Sequence, residues 1–267
     1  MKGPARKMKS SHERPRVKAI LLDIEGVVCV GGTVLPGSLD AIGRMRELRI
    51  PLRFITNTTR RPRRQIACDL ARLGVVVKTD DIFTPAVSAR EYLCRHCLSP
   101  FLLVHPNLHE DFAGLGAGSG EAVVVGDAGS SFTYDLLNTA FRKIIHGAGF
   151  LALAKNRNFL DSDFELSLDA GPFVAALEYA SGREATVLGK PAPTLFELAA
   201  GSTETAAAHV AMIGDDVEAD VQGALAAGLK AVLVRTGKYQ AGQEAQLAGS
   251  LAYVADDLYT AVELLFG

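Results

Sequence analysis

Four groups of polar residues in this chain each follow a short apolar run. They are Asp23 with Glu25, Thr56 with Asn57, Lys190, and Asp215 with Asp216 and Asp220. Taken singly, each group has an ordinary explanation, because Asp, Thr and Asn often begin helices or turns. Their occurrence at the end of one strand after another favours a shared site, because open parallel sheets bind ligands at the carboxyl ends of their strands.

Asp23 and Asp215 are the residues for which these residue types predict a metal site. Two carboxylates held close together repel each other unless a cation lies between them. Oxygen ligands of this kind suit Mg²⁺, which keeps several waters and accepts a phosphate oxygen as a further ligand. Lys190, Thr56 and Asn57 would supply positive charge and hydrogen-bond donors around a phosphoryl group. A carboxylate beside the metal is then free to attack phosphorus.

The elements that must position these side chains alternate between short apolar runs and helical patterns. "VKAILLD" predicts a buried strand, "SLDAIGRMRELRI" the helix that follows it and "LRFITN" the next strand. Residues 63–73 predict a helix that ends at Gly74, a suitable C-terminal cap. Further along, "VAMIGDD" and "KAVLVRTG" predict strands on either side of a helix over "VEADVQGALAAG". This alternation is typical of βαβ units and of a largely parallel sheet.

The order of the elements predicts an α/β fold with a Rossmann-like parallel-sheet core and a smaller inserted α/β domain. A second series of strands and helices between residues 80 and 185 is long enough to form that domain. The predicted division is a disordered basic tail at 1–16, a first core segment at 17–79, the insertion at 80–185 and a second core segment at 186–267.

Composition excludes several other classes of protein. The net charge of −2 over 267 residues argues against a nucleic-acid surface, and no apolar run is long enough to cross a bilayer. We therefore expect a globular protein with neither nucleic-acid nor membrane partners. Four cysteines fit a reducing cytosol, so we expect a cytoplasmic location.

Two further motifs in the predicted insertion have simpler explanations than function. Cys94 and Cys97 form a C-x-x-C pair, but it lies near the end of a predicted helix, whereas redox pairs favour a helix N-terminus. We interpret the pair as packing. The glycine-rich stretch at 114–120 follows no strand of the dinucleotide-binding type, so it is only weak support for a phosphate loop.

Four motifs of the chain resemble those of the haloacid dehalogenase-like hydrolases. They are "DIEGV", "ITN", "GKP" and "GDDVEAD", and the fourth is the most specific of them. "GPFVAALEYASGREATVLGKPAPTLFELA" and "MIGDDVEADVQGALAAGLKAVLVRTGKY" are similar to subfamily IIA. The resemblance extends from about residue 17 to the C-terminus. It implies a phosphatase whose insertion is a C2-type cap that closes over the site and selects the substrate.

The resemblance also implies roles for the acidic residues. Asp23 would be the nucleophile and a Mg²⁺ ligand, with the backbone carbonyl of Glu25 as a second ligand. Asp215 would complete the metal site. Asp216 and Asp220 would support these ligands without themselves binding the metal.

For the remaining site residues, the resemblance implies contacts with the substrate. Thr56 and Asn57 would hold the phosphoryl oxygens, and Lys190 would neutralise the nucleophile and the charge that develops during transfer. Lys155 and Arg157 in the cap are candidate anion contacts, although a solvated turn explains them equally well. Members of the family often pair through their caps, which implies a possible homodimer.

Glu25 departs from the pattern of most phosphatases in this superfamily. They have Asp two residues after the nucleophile, where it protonates the leaving group and later activates water. Glu adds a methylene group, and a misplacement of about 1 Å can cost on the order of a hundredfold in rate. Glu25 is therefore either a displaced acid/base or a residue of which only the backbone matters. We favour the first, because a carboxyl within reach can still serve a good leaving group.

The leading hypothesis is a Mg²⁺-dependent phosphatase that hydrolyses a small phosphorylated metabolite through an aspartyl-phosphate on Asp23. Pyrophosphate, N-phosphorylated amines and aryl phosphates would suit a weakened acid, because their leaving groups need little protonation. The alternative is a phospho-ligand binding or regulatory protein whose turnover is weak or lost because Glu25 replaces Asp. A dehalogenase is a third possibility, but Asp215, Asp216 and the metal they imply have no purpose in displacing a halide.

Overall fold

The computed structural model describes residues 16–161, 165–247 and 249–267. Of the basic tail predicted at 1–16, all but the last residue lie outside the described part of the chain. Within that part, no helix has the length and apolar character needed to span a bilayer.

The bounds of the elements agree with the predicted alternation of strands and helices. The strands are β1 (Ala19–Asp23), β2 (Cys29–Val30), β3 (Thr33–Val34), β4 (Leu52–Ile55), β5 (Ile82–Phe83), β6 (Leu98–Leu103), β7 (Gly120–Val125), β8 (Gly149–Ala152), β9 (Asn158–Leu160), β10 (Leu166–Leu168), β11 (Thr186–Val187), β12 (Val210–Gly214), β13 (Lys230–Val234) and β14 (Ala252–Ala255). The helices are α1 (Ser38–Glu47), α2 (Arg63–Arg72), α3 (Pro85–Arg95), α4 (Tyr134–Ile145), α5 (Ala170–Ser181), α6 (Pro193–Gly201), α7 (Gly223–Ala226) and α8 (Leu258–Phe266).

A parallel six-stranded sheet forms the core, in the order β14-β13-β12-β1-β4-β5. Strand β1 lies in its interior, and every residue of β1 is buried, as expected where helices cover both faces of a parallel sheet. Ile20 and Leu22 pack into a cluster on one face, whereas Leu21 packs into a cluster on the other. Asp23 is the last residue of β1, and both neighbouring strands run parallel to β1, so Asp23 lies at the carboxyl edge of the sheet.

A second, four-stranded parallel sheet has the order β11-β8-β7-β6. The chain leaves the core sheet after Phe83 and returns to it after Val187, and we call residues 84–187 the inserted segment. The predicted Rossmann-like α/β core with a smaller inserted α/β unit is confirmed.

The predicted bounds of the insertion, 80 and 185, need a correction of a few residues. Strand β5 pairs with β4 and therefore belongs to the core sheet, whereas β11 pairs with β8 and belongs to the second sheet. Both strands contain two residues, which is too short for a period of two to be recognised in the sequence.

The cysteine pair is placed differently from the prediction. Cys94 and Cys97 are free and exposed at the C-terminal end of α3, while Leu93 fills the adjoining core. The interpretation of the pair as buried packing is therefore wrong. The glycine-rich stretch 114–120 leads into β7, where the backbone N–H of Gly118 donates to the hydroxyl of Ser99.

The helix predicted after β12 begins as a π-helix, Val217–Gln222, and continues as α7. The backbone carbonyl of Asp216 accepts hydrogen bonds from the N–H groups of both Asp220 and Val221. The side chain of Asp216 caps the same turn by accepting from the N–H groups of Glu218 and Ala219. Single π-turns of this kind frequently occur at functional sites.

Candidate active site

The side chain of Lys190 lies between two buried carboxylates. Its Nζ is 2.5 Å from Oδ1 of Asp23 and 2.6 Å from Oδ1 of Asp220. Asp23 ends β1, Asp220 lies in the π-helix after β12, and Lys190 lies between β11 and α6. Three segments distant in the sequence therefore converge at the carboxyl edge of the core sheet.

Asp215 brings a third carboxylate to this cluster. Oxygen atoms of Asp23, Asp215 and Asp220 all lie within 4.8 Å of one another, and all three residues are buried. One ammonium group therefore faces three carboxylates, an excess of two negative charges in a site largely removed from water. The donor set of hard oxygens and the missing charge both fit Mg²⁺.

The ionisation of the cluster reflects this imbalance. Burial raises the pKa of Asp23, and burial raises the pKa of Asp215 to about 6. Burial opposes the charge on Lys190, but Asp220 and Asp23 outweigh it and raise the pKa of Lys190 above its ordinary value. Lys190 therefore remains charged, and a divalent cation would keep the carboxylates ionised.

Two glycines and a backbone N–H hold the carboxylate of Asp215. Gly26 and Gly237 have φ angles of +87° and +58°, and a Cβ atom at either would overlap this carboxylate. The backbone N–H of Lys238 donates to Oδ2 of Asp215 at 2.6 Å, and the hydroxyl of Thr236 donates to the carbonyl of Gly26 at 2.5 Å. Residues 236–238 were not predicted as part of the site, although "TGK" follows strand β13 at the same edge of the sheet.

Asn57 lines the cleft, and its side-chain amide binds the main chain of Lys190. Its amide nitrogen donates to the backbone carbonyl of Lys190 at 2.9 Å, and its amide oxygen accepts from the backbone N–H of Lys190 at 2.7 Å. Asn57 therefore positions Lys190 and uses its amide group in doing so. Thr56 directly follows β4 as a buried residue that lines the cleft, and its Oγ1 accepts a long hydrogen bond of 3.4 Å from the N–H of Thr58.

The side chain of Glu25 lines the cleft but is held by the hairpin of β2 and β3. One carboxylate oxygen accepts a hydrogen bond from the backbone N–H of Gly31 at 2.8 Å, and the other lies 4.0 Å from the thiol of Cys29. Burial raises the pKa of that thiol to about 11. The neutral thiol and the backbone N–H therefore hold the Glu25 carboxylate on the hairpin side of the cleft.

The cleft above the cluster has a volume of about 730 Å³ and is lined by residues of the core and of the inserted segment. Its wall in the inserted segment contains Asp127, Asn156, Phe159 and Asp169. Arg60 extends from the core to this wall and forms an ion pair there with Asp127. This wall was not predicted from the sequence, although Asp127 follows the apolar run "AVVV" after one glycine, much as Asp23 follows "AILL".

The predicted cap contacts lie beside the main cleft. Lys155 is bound to both carboxylate oxygens of Glu178, at 3.0 and 2.8 Å. It lines a neighbouring pocket that also contains Lys190 and Asp216. Arg157 is exposed, and in the described part of the chain neither Lys155 nor Arg157 is among the residues that line the main cleft.

The fold is a parallel α/β core with an inserted segment above it. Its site, at the carboxyl ends of the core strands, contains buried carboxylates and a lysine, as in α/β enzymes that bind phosphorylated ligands. The chain belongs to the haloacid dehalogenase-like hydrolase family, as predicted. The family model described as "Haloacid dehalogenase-like hydrolase" matches residues 20–118, and a related HAD-hydrolase-like model matches residues 187–261. The two matches flank most of the inserted segment and include all four motifs.

Curated relatives match over most of their length. Haloacid dehalogenase-like hydrolase domain-containing protein 2 of Bos taurus is 39% identical, over 86% of this chain and 89% of the relative. The phospholysine phosphohistidine inorganic pyrophosphate phosphatase of Homo sapiens is 36% identical, over 93% of this chain and 94% of the relative. The curated relatives of this chain therefore include a phosphatase.

Solved structures show the same fold. A 4-nitrophenylphosphatase from Thermotoga maritima has a TM-score of 0.84 at 24% identity, with 94% of this chain and 98% of that chain covered. A glycerol phosphate phosphatase from Mycobacterium tuberculosis, solved in complex with magnesium, has a TM-score of 0.79 at 26% identity. That match covers 92% of this chain and 76% of the other.

Proposed function

We propose that this protein is a Mg²⁺-dependent phosphatase that hydrolyses a small phosphorylated metabolite through an aspartyl-phosphate on Asp23. The observation that carries the proposal is the buried cluster in which Lys190 faces the carboxylates of Asp23, Asp215 and Asp220. Such a cluster is costly to stability unless it binds a cation, and its position at a strand edge suits a phosphorylated ligand.

Asp23 would attack phosphorus through the oxygen that Lys190 does not bind. The new bond joins that oxygen to phosphorus, and the bond from phosphorus to the leaving group breaks with its electron pair. Water then attacks the phosphorus of the aspartyl-phosphate, which releases inorganic phosphate and restores the carboxylate. Lys190 remains protonated throughout, so it orients Asp23 and offsets charge rather than transferring a proton.

The metal would be held by Asp23, Asp215 and the backbone carbonyl of Glu25. When bound, Mg²⁺ supplies positive charge to the phosphoryl oxygens. Asp220 offers another oxygen to the same cluster, but its ion pair with Lys190 favours a role in fixing that side chain. Asp216 supports the cluster by capping the π-helix that carries Asp220.

Glu25 would act as the displaced acid/base. Its carboxylate lines the cleft and would have to give up the hydrogen bond from Gly31 to reach a leaving group. The same hydrogen bond favours the second candidate function, a phospho-ligand binding protein with weak turnover. A substrate whose leaving group needs little protonation would distinguish the phosphatase from the binding protein. It makes the acid dispensable, so the phosphatase should hydrolyse it and the binding protein should not.

The names of the relatives support a small substrate. They refer to phospholysine, phosphohistidine, inorganic pyrophosphate, 4-nitrophenyl phosphate and glycerol phosphate. The inserted segment would be the cap that selects among such compounds. A cytoplasmic location is supported by the four free cysteines, three of which are exposed. A homodimer formed through the cap completes the proposal.

The test is a hydrolysis assay over a panel of aryl, alkyl and N-phosphorylated compounds and pyrophosphate, with Mg²⁺ and with EDTA. We expect Mg²⁺-dependent release of phosphate from the compounds with good leaving groups. Equilibrium binding of a phosphorylated compound without release of phosphate from any member of the panel would establish the binding protein instead.

A further inference from the structure

Arg60 connects the loop after β4 to the inserted segment. It follows Asn57 by three residues in the sequence "TNTTRR", so it belongs to the loop that carries the candidate phosphate-binding residues. Its Nε forms an ion pair with the carboxylate of Asp127, which follows strand β7 of the second sheet. One side chain therefore joins the phosphate end of the cleft to the opposite wall.

Asp127 depends on Arg60 for its charge compensation. The side chain of Asp127 is only 5% exposed, whereas that of Arg60 is 39% exposed. The second oxygen of Asp127 accepts a hydrogen bond from the backbone N–H of Gly129 at 3.1 Å, which fixes the carboxylate in place. A buried carboxylate is costly without a cation, so Asp127 acts as a fixed anchor that determines where the guanidinium group lies.

Phe159 is the third member of this contact. The guanidinium carbon of Arg60 lies 4.3 Å from the centroid of the Phe159 ring, a distance typical of a cation–π contact. Phe159 lies in strand β9, which pairs only with the three-residue strand β10 in the described part of the sheets. A short two-stranded ribbon is weakly ordered by itself. The stacked guanidinium group therefore orients the ring that lines the cleft.

We propose that Arg60 is a positioning residue that sets the leaving-group preference of the enzyme. Anchored on Asp127, it holds Phe159 as an apolar wall opposite the phosphate end, and this wall favours phosphate esters with a planar, apolar leaving group. The ring face that Arg60 leaves free can stack on such a group, which an acyl or small alkyl group cannot do. The proposal rests on the proposed phosphatase function.

The first test compares Arg60→Ala with Arg64→Ala. Arg64 lies in α2 and also crosses to the inserted segment, where it binds Glu110, but both partners are exposed and neither lines the main cleft. The measurement is the ratio of kcat/KM for 4-nitrophenyl phosphate to kcat/KM for acetyl phosphate. We expect this ratio to fall about tenfold in Arg60→Ala and to remain within about twofold of wild type in Arg64→Ala.

Three further variants at the Arg60–Asp127 contact separate positioning from a general loss of structure. Asp127→Asn retains the shape of the anchor without its charge and should reduce the ratio in the same direction. The double variant Arg60→Ala/Asp127→Asn should resemble Arg60→Ala, because each of the two changes removes the same ion pair. Arg60→Lys retains the charge but not the planar stacking group, so it should recover only part of the ratio. Equal ratios in wild type and Arg60→Ala, or independent effects in the double variant, would overturn the proposal.

A measurement without turnover keeps the inference distinct from the proposed function. The chain contains no Trp, so Phe159→Trp introduces a single tryptophan, whose emission can be excited separately from that of the tyrosines, into the wall. We expect its emission to shift to longer wavelength and its anisotropy to fall when Arg60→Ala is added, but not when Arg64→Ala is added. If wild type hydrolyses nothing while this shift occurs, Arg60 does position the wall, but the phosphatase function fails and the leaving-group preference fails with it. If the emission is unchanged, Arg60 does not position the wall.

Discussion

Ion pairs occur in two regions of this molecule that differ in their access to water. At the edge of the core sheet, Lys190 and its two carboxylate partners are each less than a tenth exposed. At the junction with the inserted segment, Arg64 and Glu110 are 70% and 40% exposed. Water screens exposed charges. The ion pairs at the sheet edge are therefore strong and fixed, whereas the pair at the junction is weak and can be replaced by contacts with water.

In the proposed phosphatase, this difference would separate phosphoryl transfer from the opening of the cap. Phosphoryl transfer requires a nucleophile and a lysine that do not move, and burial in the interior of a parallel sheet provides this rigidity. A cover over the cleft must open for substrate, and exposed pairs such as Arg64–Glu110 can break at small cost. The Arg60–Asp127 pair is intermediate, since one partner is buried and the other is not.

The largest effect is expected from removing the nucleophile in the buried region. Asp23→Asn keeps the shape of the side chain but removes the attacking oxygen, so kcat should fall by about a thousandfold or more. The measurement is steady-state hydrolysis of an aryl phosphate in the presence of Mg²⁺. Turnover of Asp23→Asn close to that of wild type would contradict a covalent mechanism.

A smaller loss is expected when the carboxylate of Asp215 is displaced. The Cβ of Gly237→Ala would overlap that carboxylate, and the resulting shift should cost on the order of a hundredfold in kcat/KM. The matched control is Gly242→Ala, because Gly242 also has a positive φ, of +94°, but has open space around it. A similar loss in both variants would show that backbone strain, and not the position of Asp215, causes the effect.

The pH dependence of stability should also distinguish the buried cluster from the exposed junction with the inserted segment. Burial raises the pKa of Asp215 to about 6, so its proton is held more tightly in the folded than in the unfolded state. Stability is therefore gained as the pH falls and lost as it rises through about 6. In EDTA, the contribution of Asp215 to the free energy of unfolding should decrease by about 1 kcal/mol between about pH 5 and pH 7, and the raised pKa of Asp23 adds a decrease in the same direction.

Asp215→Asn is the control for this pH dependence. The variant has no carboxyl group to titrate at this position, so its unfolding should depend less on pH over the same range. Denaturant unfolding at both pH values measures the difference. An equally steep dependence in wild type and Asp215→Asn would assign the effect to other carboxyl groups.

The smallest effect is expected at the exposed junction. Arg64→Ala removes a solvent-screened pair, so the midpoint of thermal unfolding should remain within about 2 °C of wild type. Differential scanning fluorimetry measures it. A larger decrease would show that the junction contributes to stability as the sheet edge does, and the contrast between the two regions would then fail.

The sequence by itself determined the fold class and the acidic centre. Asp23 ends β1 and Asp215 directly follows β12, and the carboxyl ends of these neighbouring parallel strands lie at one edge of the core sheet, so local pattern was sufficient to bring the two carboxylates together. Lys190 follows β11 of the second sheet, so its approach to them was decided by the tertiary structure. Strand β14 and helix α8 at the C-terminus were not assigned, although the Asp257 capping box marks the start of α8.

Only the tertiary structure decided how the centre is held and what covers it. Asn57 is bound to the main chain of Lys190, from which it is separated by 133 residues, and Arg60 is 67 residues from Asp127. Gly237 closes on Asp215 because the ends of two neighbouring strands meet. Each contact depends on how distant segments approach in space, and the chemical types of the residues do not encode that approach.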